Sequence, residues 1–531
     1  MKKKFNLMRL PFLVILLLLN FSVSAGEKLV RGLGPEPDSL DIHLAQGVSA
    51  LNVLRDIREG LMTLSAAGQP VNGVAESIDM QADDRLAIVH LKQNLNWSDG
   101  SPLRAADFVR GWQRAVAPTT AAANAVLLDS VVNAKAIRLG TQAIDSLGIR
   151  ALDEYTLEIR LNRKLPWLNW LLAHPLTYPL ADSLTEKTEA VGNAGHRNGP
   201  FNGAYSLTSW TPNDRLVLIR NPHFHSRESV ALERIEYIPI PNPNTELNRF
   251  RAGELHMTET IPPARFNWLK ENYADELKVY PYLGTFFLGL NLRQPPLAGN
   301  TNLRRALLLA IDRDKLTALV LAAGEKPAFS LVPPGLGEYQ QQYPGGAGQQ
   351  QAARETTAVA LYRQAGYSKE NPLHLELRIN SSSTHRRMAL AVSAMWKQNL
   401  GVVTRIVHEE WKVFVNNRNQ AVITEVFRGG WIGDFPDPVT FLSLFISDNV
   451  QNWSGYESLR FNNLMALAED QANPKQRLQL LQQAEKQLLD DVPMIPLYYY
   501  VSRHLVDQRV SGYSDNTLDI HLSRYLDLEQ R

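Results

Sequence analysis

The alternation of apolar and polar residues predicts several short strands. Val89 and Leu91 share one face of residues 88–92, and this short alternating run suits a strand better than a helix. Strand character is also predicted for residues 29–35, which run into a turn, and for residues 155–161, 216–219 and 403–407.

Apolar residues recur at helical spacing between these runs. Phe108 and Trp112 are four residues apart, so they share one face of a helix predicted over residues 107–114. Further helices are predicted over residues 302–311, 388–396 and 473–488. Because strands and helices keep recurring, an α/β architecture is favoured.

Capping residues and one loop mark where these elements end. Gly401 is positioned to close the helix that contains residues 388–396. Asn473 and Pro474, with Gln476 three residues after the Asn, resemble an N-cap, a first-turn proline and a capping box. Residues 333–352 are rich in Gly, Pro and Gln without periodicity, so a surface loop is predicted there.

The first 25 residues have the composition of a secretory signal peptide. Four basic residues precede the apolar residues 12–19, and residues 23–25 are small, as signal peptidase requires. Cleavage is expected before Gly26, with an uncleaved N-terminal anchor as the alternative. The chain has no cysteine, so it gains no disulfide and lacks the residue that anchors a bacterial lipoprotein. Export to the periplasm as a free protein is therefore predicted.

Length and charge narrow the function classes. The chain has 531 residues, 44% hydrophobic and 21% charged, which is typical of a globular protein with about three domains. Its formal net charge is +1, and removing four basic residues with the signal peptide leaves 51 Lys+Arg against 54 Asp+Glu, or −3. This balance provides no basic field to hold a phosphate backbone or an anionic membrane. Nucleic acid is not an expected partner.

Common catalytic and metal-binding motifs are missing from the sequence. There is no P-loop, no G-x-S-x-G elbow and no H-E-x-x-H pair. His408 begins a stretch like the last motif, but Lys412 stands where the second His is needed. The 12 histidines show no ligand spacing, so neither a metal nor a cofactor is predicted.

The most informative stretch is residues 428–438, which read RGGWIGDFPDP. Three glycines around Trp431 let a ligand approach the backbone closely, Asp434 supplies a carboxylate, and two prolines fix the chain that follows. This composition suits the rim of a binding site, although an ordinary turn has the same composition.

The same stretch resembles the G-W-x-x-D-(Y/F)-x-(D/E)-P region of the peptide receptors that feed ABC importers, within the peptide/nickel solute-binding family. Further family patterns are matched, in order, at residues 96–102, 106–109, 112–114, 198–205, 221–222, 248–254, 304–306, 312–313 and 492–500. The resemblance implies an α/β protein with two lobes that close about a hinge, and an additional third domain.

By this resemblance the domains divide discontinuously. Lobe I is expected to comprise residues 26–58, 179–284 and 501–531. The extra domain II is expected over residues 59–178 and lobe III over residues 285–500.

The resemblance also implies binding residues. Asp434 matches the carboxylate that pairs with a peptide's α-ammonium, and loss of such a buried pair costs about 3–5 kcal/mol. Gly430, Trp431 and Ile432 match the strand that pairs with the peptide backbone. The residues expected to face that strand from the other side are Gln46, Gly47 and Val48. Trp411 resembles an aromatic of the pocket wall, with core packing as the alternative.

For the peptide's carboxylate, His385, Arg418 and Arg428 lie at or near positions where the oligopeptide receptors keep cations. A guanidinium grips a carboxylate through a bidentate fork, and cations at different depths suit different peptide lengths. Any of the three could instead be a surface charge. Gly284 and Ile432 stand where these receptors have paired cysteines. Asn124 stands near where they place a Tyr and Gly289 near where they place a Glu, so altered side-chain pockets are expected.

The resulting hypothesis is a periplasmic receptor, a monomer without enzymatic activity, that captures short oligopeptides and hands them to an inner-membrane permease. Murein peptides are the first alternative ligand, and dipeptides share the same carboxylate. Nickel is less favoured because no metal-ligand cluster is visible. A periplasmic peptide hydrolase that uses Asp434 with Asp437 as an acid–base pair is the competing class, followed by a chaperone with a broad peptide cleft.

Overall fold

The structure is a computed structural model that describes residues 28–45, 47–81, 84–122, 124–184, 199–423 and 425–529. The predicted signal peptide and Gln46 lie outside the described residues. Among the helices of the described part, none has the length and apolar character needed to cross a membrane.

A four-stranded sheet contains the predicted strand near the N-terminus. Its order is Lys28–Gly32, Arg234–Ile238, Arg215–Arg220 and Tyr205–Thr211, and the first pair is parallel while the others are antiparallel. Alternate apolar residues such as Leu216 and Leu218 face a buried core, against which the helix Val48–Ile57 packs. Residues 28–57 and 205–238 thus share one core, because their apolar faces meet.

A separate antiparallel sheet lies within residues 75–160. Its order is Ala75–Gln81, Leu86–Leu91, Thr156–Arg160 and Ile149–Ala151. The helix Ala105–Val116 covers it and buries both Phe108 and Trp112 completely, as their spacing predicts. The indole Nε1–H of Trp112 donates to the carbonyl of Thr177 at 2.9 Å. A buried indole thus keeps its hydrogen bond, as a stable core requires.

The largest sheet has six strands and combines distant parts of the chain. Its order is Lys326–Pro327, Met494–Leu505, Leu277–Leu290, Val426–Ile432, His374–Asn380 and Val403–Glu409. Two-stranded sheets pair Met62–Leu64 with Pro70–Asn72 and Val510–Ser511 with Asp527–Leu528. The remaining α-helices of four or more residues in the described part are Ala134–Arg138, Leu168–Leu172, Pro243–Arg251, Phe266–Asn272, Thr301–Leu309, Gln351–Gln364, Ser383–Leu400, Trp411–Asn419, Val439–Leu442, Leu459–Asp470 and Pro474–Asp491.

Two long strands, Leu277–Leu290 and Met494–Leu505, connect the six-stranded sheet to the four-stranded one. We call them the crossing strands. At the end of the second, Val506 bridges Met257, which in turn bridges Arg31 of the four-stranded sheet. The pairing of the crossing strands is irregular between Pro281 and Thr285. The boundaries predicted at residues 284 and 500 fall near this irregularity, and the domain division remains a prediction.

The predicted helix ends are mostly confirmed. Gly401 closes Ser383–Leu400 with φ 82°, in the left-handed region where glycine is favoured. The Asn473 side chain accepts hydrogen bonds from the first turn of Pro474–Asp491. The capping box is wrong, because the Asn473 N–H donates to Gln471 and not to Gln476. The predicted loop ends early, since a helix already begins at Gln351.

Candidate functional site

The strand Val426–Ile432, which we call the cleft strand, has one partly open edge. It pairs along its length with the first crossing strand, from Leu290 opposite Val426 to Gly284 opposite Ile432. On its other edge it pairs with His374–Asn380 only as far as Phe427. Beyond Phe427, no strand of the described structure covers that edge.

The hydrogen-bond register decides which backbone groups point to the open edge. Gly433 donates to the carbonyl of Leu283 at 2.8 Å, and in an antiparallel pair such bonds recur at every second residue. Trp431 and Gly429 therefore bond to the crossing strand, while Gly430 and Ile432 direct their N–H and C=O groups to the open edge. The register supports backbone pairing at Gly430 and Ile432, and it contradicts this role for Trp431.

The glycines of the cleft strand serve different purposes on its two faces. A side chain at Gly429 would lie 2.3 Å from the ring of Phe287, so this glycine is required for packing. At Gly430, on the opposite face, a Cβ would lie 2.8 Å from the hydroxyl of Tyr500. The expectation that all three glycines serve ligand approach is therefore corrected. Side chains at Gly429 and Gly433 would meet Phe287 and Leu283, and of the three glycines only Gly430 directs its backbone groups to the open edge.

Asp434 follows the cleft strand and is accessible to solvent although protein surrounds it densely. No described residue forms an ion pair with its carboxylate. Loss of hydration within this surrounding protein raises the pKa of Asp434 to about 6, and a hydrogen bond from Thr440 offsets only part of the effect. A carboxylate in this state gains most from a cation that arrives with a ligand.

The residues around Asp434 hold it in place. Phe435 is buried and its ring stacks on Trp167 at 4.4 Å between centroids. Asp437 accepts two hydrogen bonds from Arg477, at 2.7 and 2.9 Å, so both of its oxygens are occupied. The acid–base pair of the hydrolase hypothesis is therefore not formed, because Asp437 is already held in an ion pair.

Arg428 extends from the same face as Gly430. Its guanidinium lies over the rings of Phe286 and Trp411, at 5.3 and 5.5 Å from the centroids, and approaches the hydroxyl of Tyr500 at 3.4 Å. Its Nε is buried without a hydrogen-bond partner, and no carboxylate of the described residues pairs with it. The side chain is thus held by aromatic rings and keeps its capacity to bind an anion.

Arg418 is a second arginine without a carboxylate partner in the described structure. Its guanidinium lies 3.5 Å from the ring centroid of Trp453, and the side chain is buried. Burial and, secondarily, the charge of Arg428 lower the pKa of Arg418 to about 9. The alternative that Arg418 is a surface charge is therefore wrong.

The two remaining predicted residues near Arg428 are His385 and Trp411, and their environments differ. Burial, together with the charge of Arg428, lowers the pKa of His385 to about 4, so the expected cation is neutral at pH 7. His385 Nδ1 lies 2.7 Å from the side-chain oxygen of Asn380. Trp411 is 47% exposed, which excludes the core-packing alternative for this residue.

Of the facing segment, the structure describes Gly47 and Val48. Both are exposed at the start of the helix Val48–Ile57, where Gly47 has φ 92°. Their contact with a ligand remains a prediction. Arg55, farther along this helix, has no ion-pair partner among the described residues, and burial lowers its pKa despite Tyr178 and Tyr282.

Sequence reasoning missed Tyr500. Tyr500 contacts Arg428 and fills the space beside Gly430. It lies on the second crossing strand, and the apolar pattern of that strand gives no sign that this tyrosine contacts Arg428.

Two departures from the family pattern have a structural explanation. Gly284 and Ile432 are directly opposite each other, so the positions that carry cysteines in the oligopeptide receptors are cross-strand neighbours here. At Gly289 a side chain would lie 2.2 Å from the ring of Phe427. The ring of Phe427 therefore occupies the space that a side chain at Gly289 would need.

Comparisons with known proteins agree with this architecture. The family model of bacterial extracellular solute-binding proteins, family 5, middle region, matches residues 69–453. The periplasmic oligopeptide-binding protein OppA of Escherichia coli strain K12 is 37% identical over 507 residues, which cover 93% of this chain and 92% of OppA.

Solved structures show the same likeness. The murein tripeptide binding protein MppA of Escherichia coli superposes with a TM-score of 0.84 at 32% identity, over 96% of this chain and 99% of MppA. Haemophilus influenzae OppA in complex with RPPGFSPFR gives a TM-score of 0.82 at 31% identity, over 95% and 99%. The predicted two-lobed α/β fold with a third domain is confirmed. The chain belongs to the bacterial extracellular solute-binding proteins of family 5.

Proposed function

We propose that this protein is a periplasmic receptor that binds short peptides with free termini and delivers them to an ABC importer permease. The observation that carries the proposal is Asp434, an accessible carboxylate with a raised pKa and no cation partner among the described residues, next to a strand edge that no strand covers. A peptide supplies an ammonium group to pair with Asp434 and an extended backbone to pair with the strand edge.

In this proposal the two arginines bind the carboxylate end of the peptide. Arg428 and Arg418 carry guanidinium groups that pair with no carboxylate in the described part of the chain, and aromatic rings hold both. The site is therefore complementary to a zwitterion, with its negative charge at Asp434 and its positive charge at the two arginines. Gly430 and Ile432 bind only backbone groups, so the peptide's sequence is read weakly. Ligand contacts on both lobes then favour the closed state.

The proposal is tested first by native mass spectrometry of the protein purified from its own periplasm, followed by denaturation and identification of the released molecules. We expect intact short peptides with free amino termini. Calorimetry with tri-, tetra- and pentaalanine, and with their N-acetylated and C-amidated forms, tests both charged ends. A protein that binds blocked and free peptides equally well, as a chaperone would, contradicts the proposal, and so does release of hydrolysed fragments.

Murein peptides are a second candidate ligand, because MppA superposes over nearly the whole chain. Such a peptide carries an extra carboxylate, and this protein offers two arginines without ion-pair partners in the described structure. Release of murein fragments in the same experiment would leave the binding geometry unchanged and assign the receptor to cell-wall recycling.

A further inference from the structure

Three side chains of types that bind metals come together at the end of the second crossing strand, away from the cleft strand in the sequence. His504 Nε2 and Asp519 Oδ1 are 2.8 Å apart, and His521 Nε2 is 3.1 Å from the same oxygen. The three ligand atoms all lie within 4.8 Å of one another. We call this group the histidine cluster, and it corrects the expectation from spacing that no metal-ligand cluster exists.

The backbone fixes the first member of the histidine cluster. Leu505 and Thr258 are joined by two hydrogen bonds, from Leu505 N–H to the Thr258 hydroxyl at 2.9 Å and from Thr258 N–H to the Leu505 carbonyl at 3.0 Å. His504 Nδ1 lies 2.9 Å from the carbonyl of Thr258, so this nitrogen carries the proton. Nε2 is thereby directed at Asp519, and a carbonyl behind the ring is the usual support of a metal-binding histidine.

The loop that carries the other two members is equally constrained. The Asn516 side chain bonds both backbone groups of Ile520, at 2.9 and 3.1 Å. Asp519 adopts φ 58°, an unusual conformation for a residue with a side chain. The ring of His521 stacks on Tyr513 at 4.3 Å, and the Tyr513 hydroxyl is 3.2 Å from His521 Nε2. The carboxylate is therefore held between two oriented imidazoles.

We propose that His504, Asp519 and His521 form a Zn²⁺ site that ties the C-terminal segment to the crossing strands. Two imidazoles and one carboxylate are a ligand set that zinc uses, with water or the Tyr513 hydroxyl in the fourth position. Tetrahedral bonds of about 2.0–2.1 Å separate ligand atoms by about 3.3–3.4 Å, so the two distances to Asp519 Oδ1 need only a small expansion. Asp519 is 16% accessible, which leaves a path for the ion.

Two charged groups lie near the histidine cluster. Arg31 donates to the carbonyl of His521 at 2.9 Å, and Glu259 is a nearby carboxyl group. Because protons and zinc compete for imidazole nitrogens, all titrations are made at one fixed pH.

The test is calorimetric titration of the untagged, chelator-treated protein with ZnCl₂, followed by X-ray absorption at the zinc edge. We expect one ion per chain, bound through two imidazole nitrogens and oxygen, and a higher thermal unfolding midpoint with zinc. In the His521→Asn variant the affinity falls at least tenfold, whereas the exposed matched control His374→Asn binds as the wild type does. MgCl₂, whose ion prefers oxygen ligands, produces no comparable heat.

Two results would overturn the proposal. Wild-type protein that takes up no zinc at one per chain would show that the histidine cluster is only a hydrogen-bonded ion pair. Equal zinc affinity in His521→Asn and wild type would place the ion elsewhere. If His521→Asn does not fold, Asp519→Asn replaces it, with circular dichroism as the check of folding.

Discussion

Asp434 offers the sharpest test of the binding model, because the Asp434→Asn substitution removes its charge and keeps its shape. Removing one partner of a hydrogen-bonded charge pair at an interface costs about 2–5 kcal/mol. Asp434 is accessible in the free protein, so solvent screening places the loss in the lower part of this range, about 2–3.5 kcal/mol. At 1.4 kcal/mol per factor of ten, the dissociation constant for a free peptide rises about 30-fold to 300-fold.

The pH dependence of peptide affinity provides a second, independent test of Asp434. A bound ammonium favours the ionised carboxylate, so binding is strongest above the pKa of about 6 and weakens as the pH falls through it. At pH 5 about nine-tenths of the free protein carries a proton on Asp434, and affinity falls about tenfold relative to pH 7.5. The Asn variant lacks this step.

Isothermal titration with trialanine at pH 5, 6 and 7.5 measures both effects in one series. Asp448→Asn is the matched control, because Asp448 is an exposed aspartate outside the cleft strand. Unchanged affinity in Asp434→Asn, or a wild-type pH step that persists in this variant, would falsify the assignment of the ammonium site.

Three further predictions test the arginines and the packing. Arg428→Met loses about tenfold to 100-fold in affinity for a free peptide and no longer separates it from its C-terminal amide in calorimetry; a retained preference for the acid would refute the role. Gly429→Ala forces a Cβ to 2.3 Å from Phe287 and lowers the free energy of unfolding in urea by about 1–3 kcal/mol, whereas Gly348→Ala, which meets no atom within 4 Å, does not. Burial raises the pKa of Glu59, but Arg524 and His225 outweigh it and lower the pKa overall, so stability that this carboxylate contributes above pH 4.5 is lost as the pH falls. Glu59→Gln therefore costs about 3–5 kcal/mol in urea unfolding at pH 7 and flattens the loss at pH 3.5; an equally steep acid loss in the variant would contradict this.

Features that depend on neighbouring residues could be predicted from the sequence, whereas the register between distant strands could not. The strand at residues 86–91 and the helix start at Asn473 follow from alternation and capping, which involve only neighbours in the chain. Which backbone groups of the cleft strand face the open edge depends on its register with a strand about 140 residues earlier. A one-residue change of register would exchange Gly430 for Trp431.

The same limit explains the side chains that sequence reasoning missed or misjudged. His504 and His521 are separated by a turn and a loop, so no spacing rule links them. His385 matches a family position, yet its charge depends on burial and on Arg428, which only the folded structure brings near.

The open edge of the cleft strand also bears on solubility. Uncovered strand edges invite other chains to pair with them and are a common origin of aggregation. Here the exposed stretch is short, from Arg428 to Ile432, and Asp434 and Arg428 place opposite charges at its two ends. So short an edge disfavours pairing with a long strand of a second folded sheet, whereas it suits a short zwitterionic chain. The feature that we propose to bind peptides is thus restricted in length and charge in a way that protects the protein from its own copies.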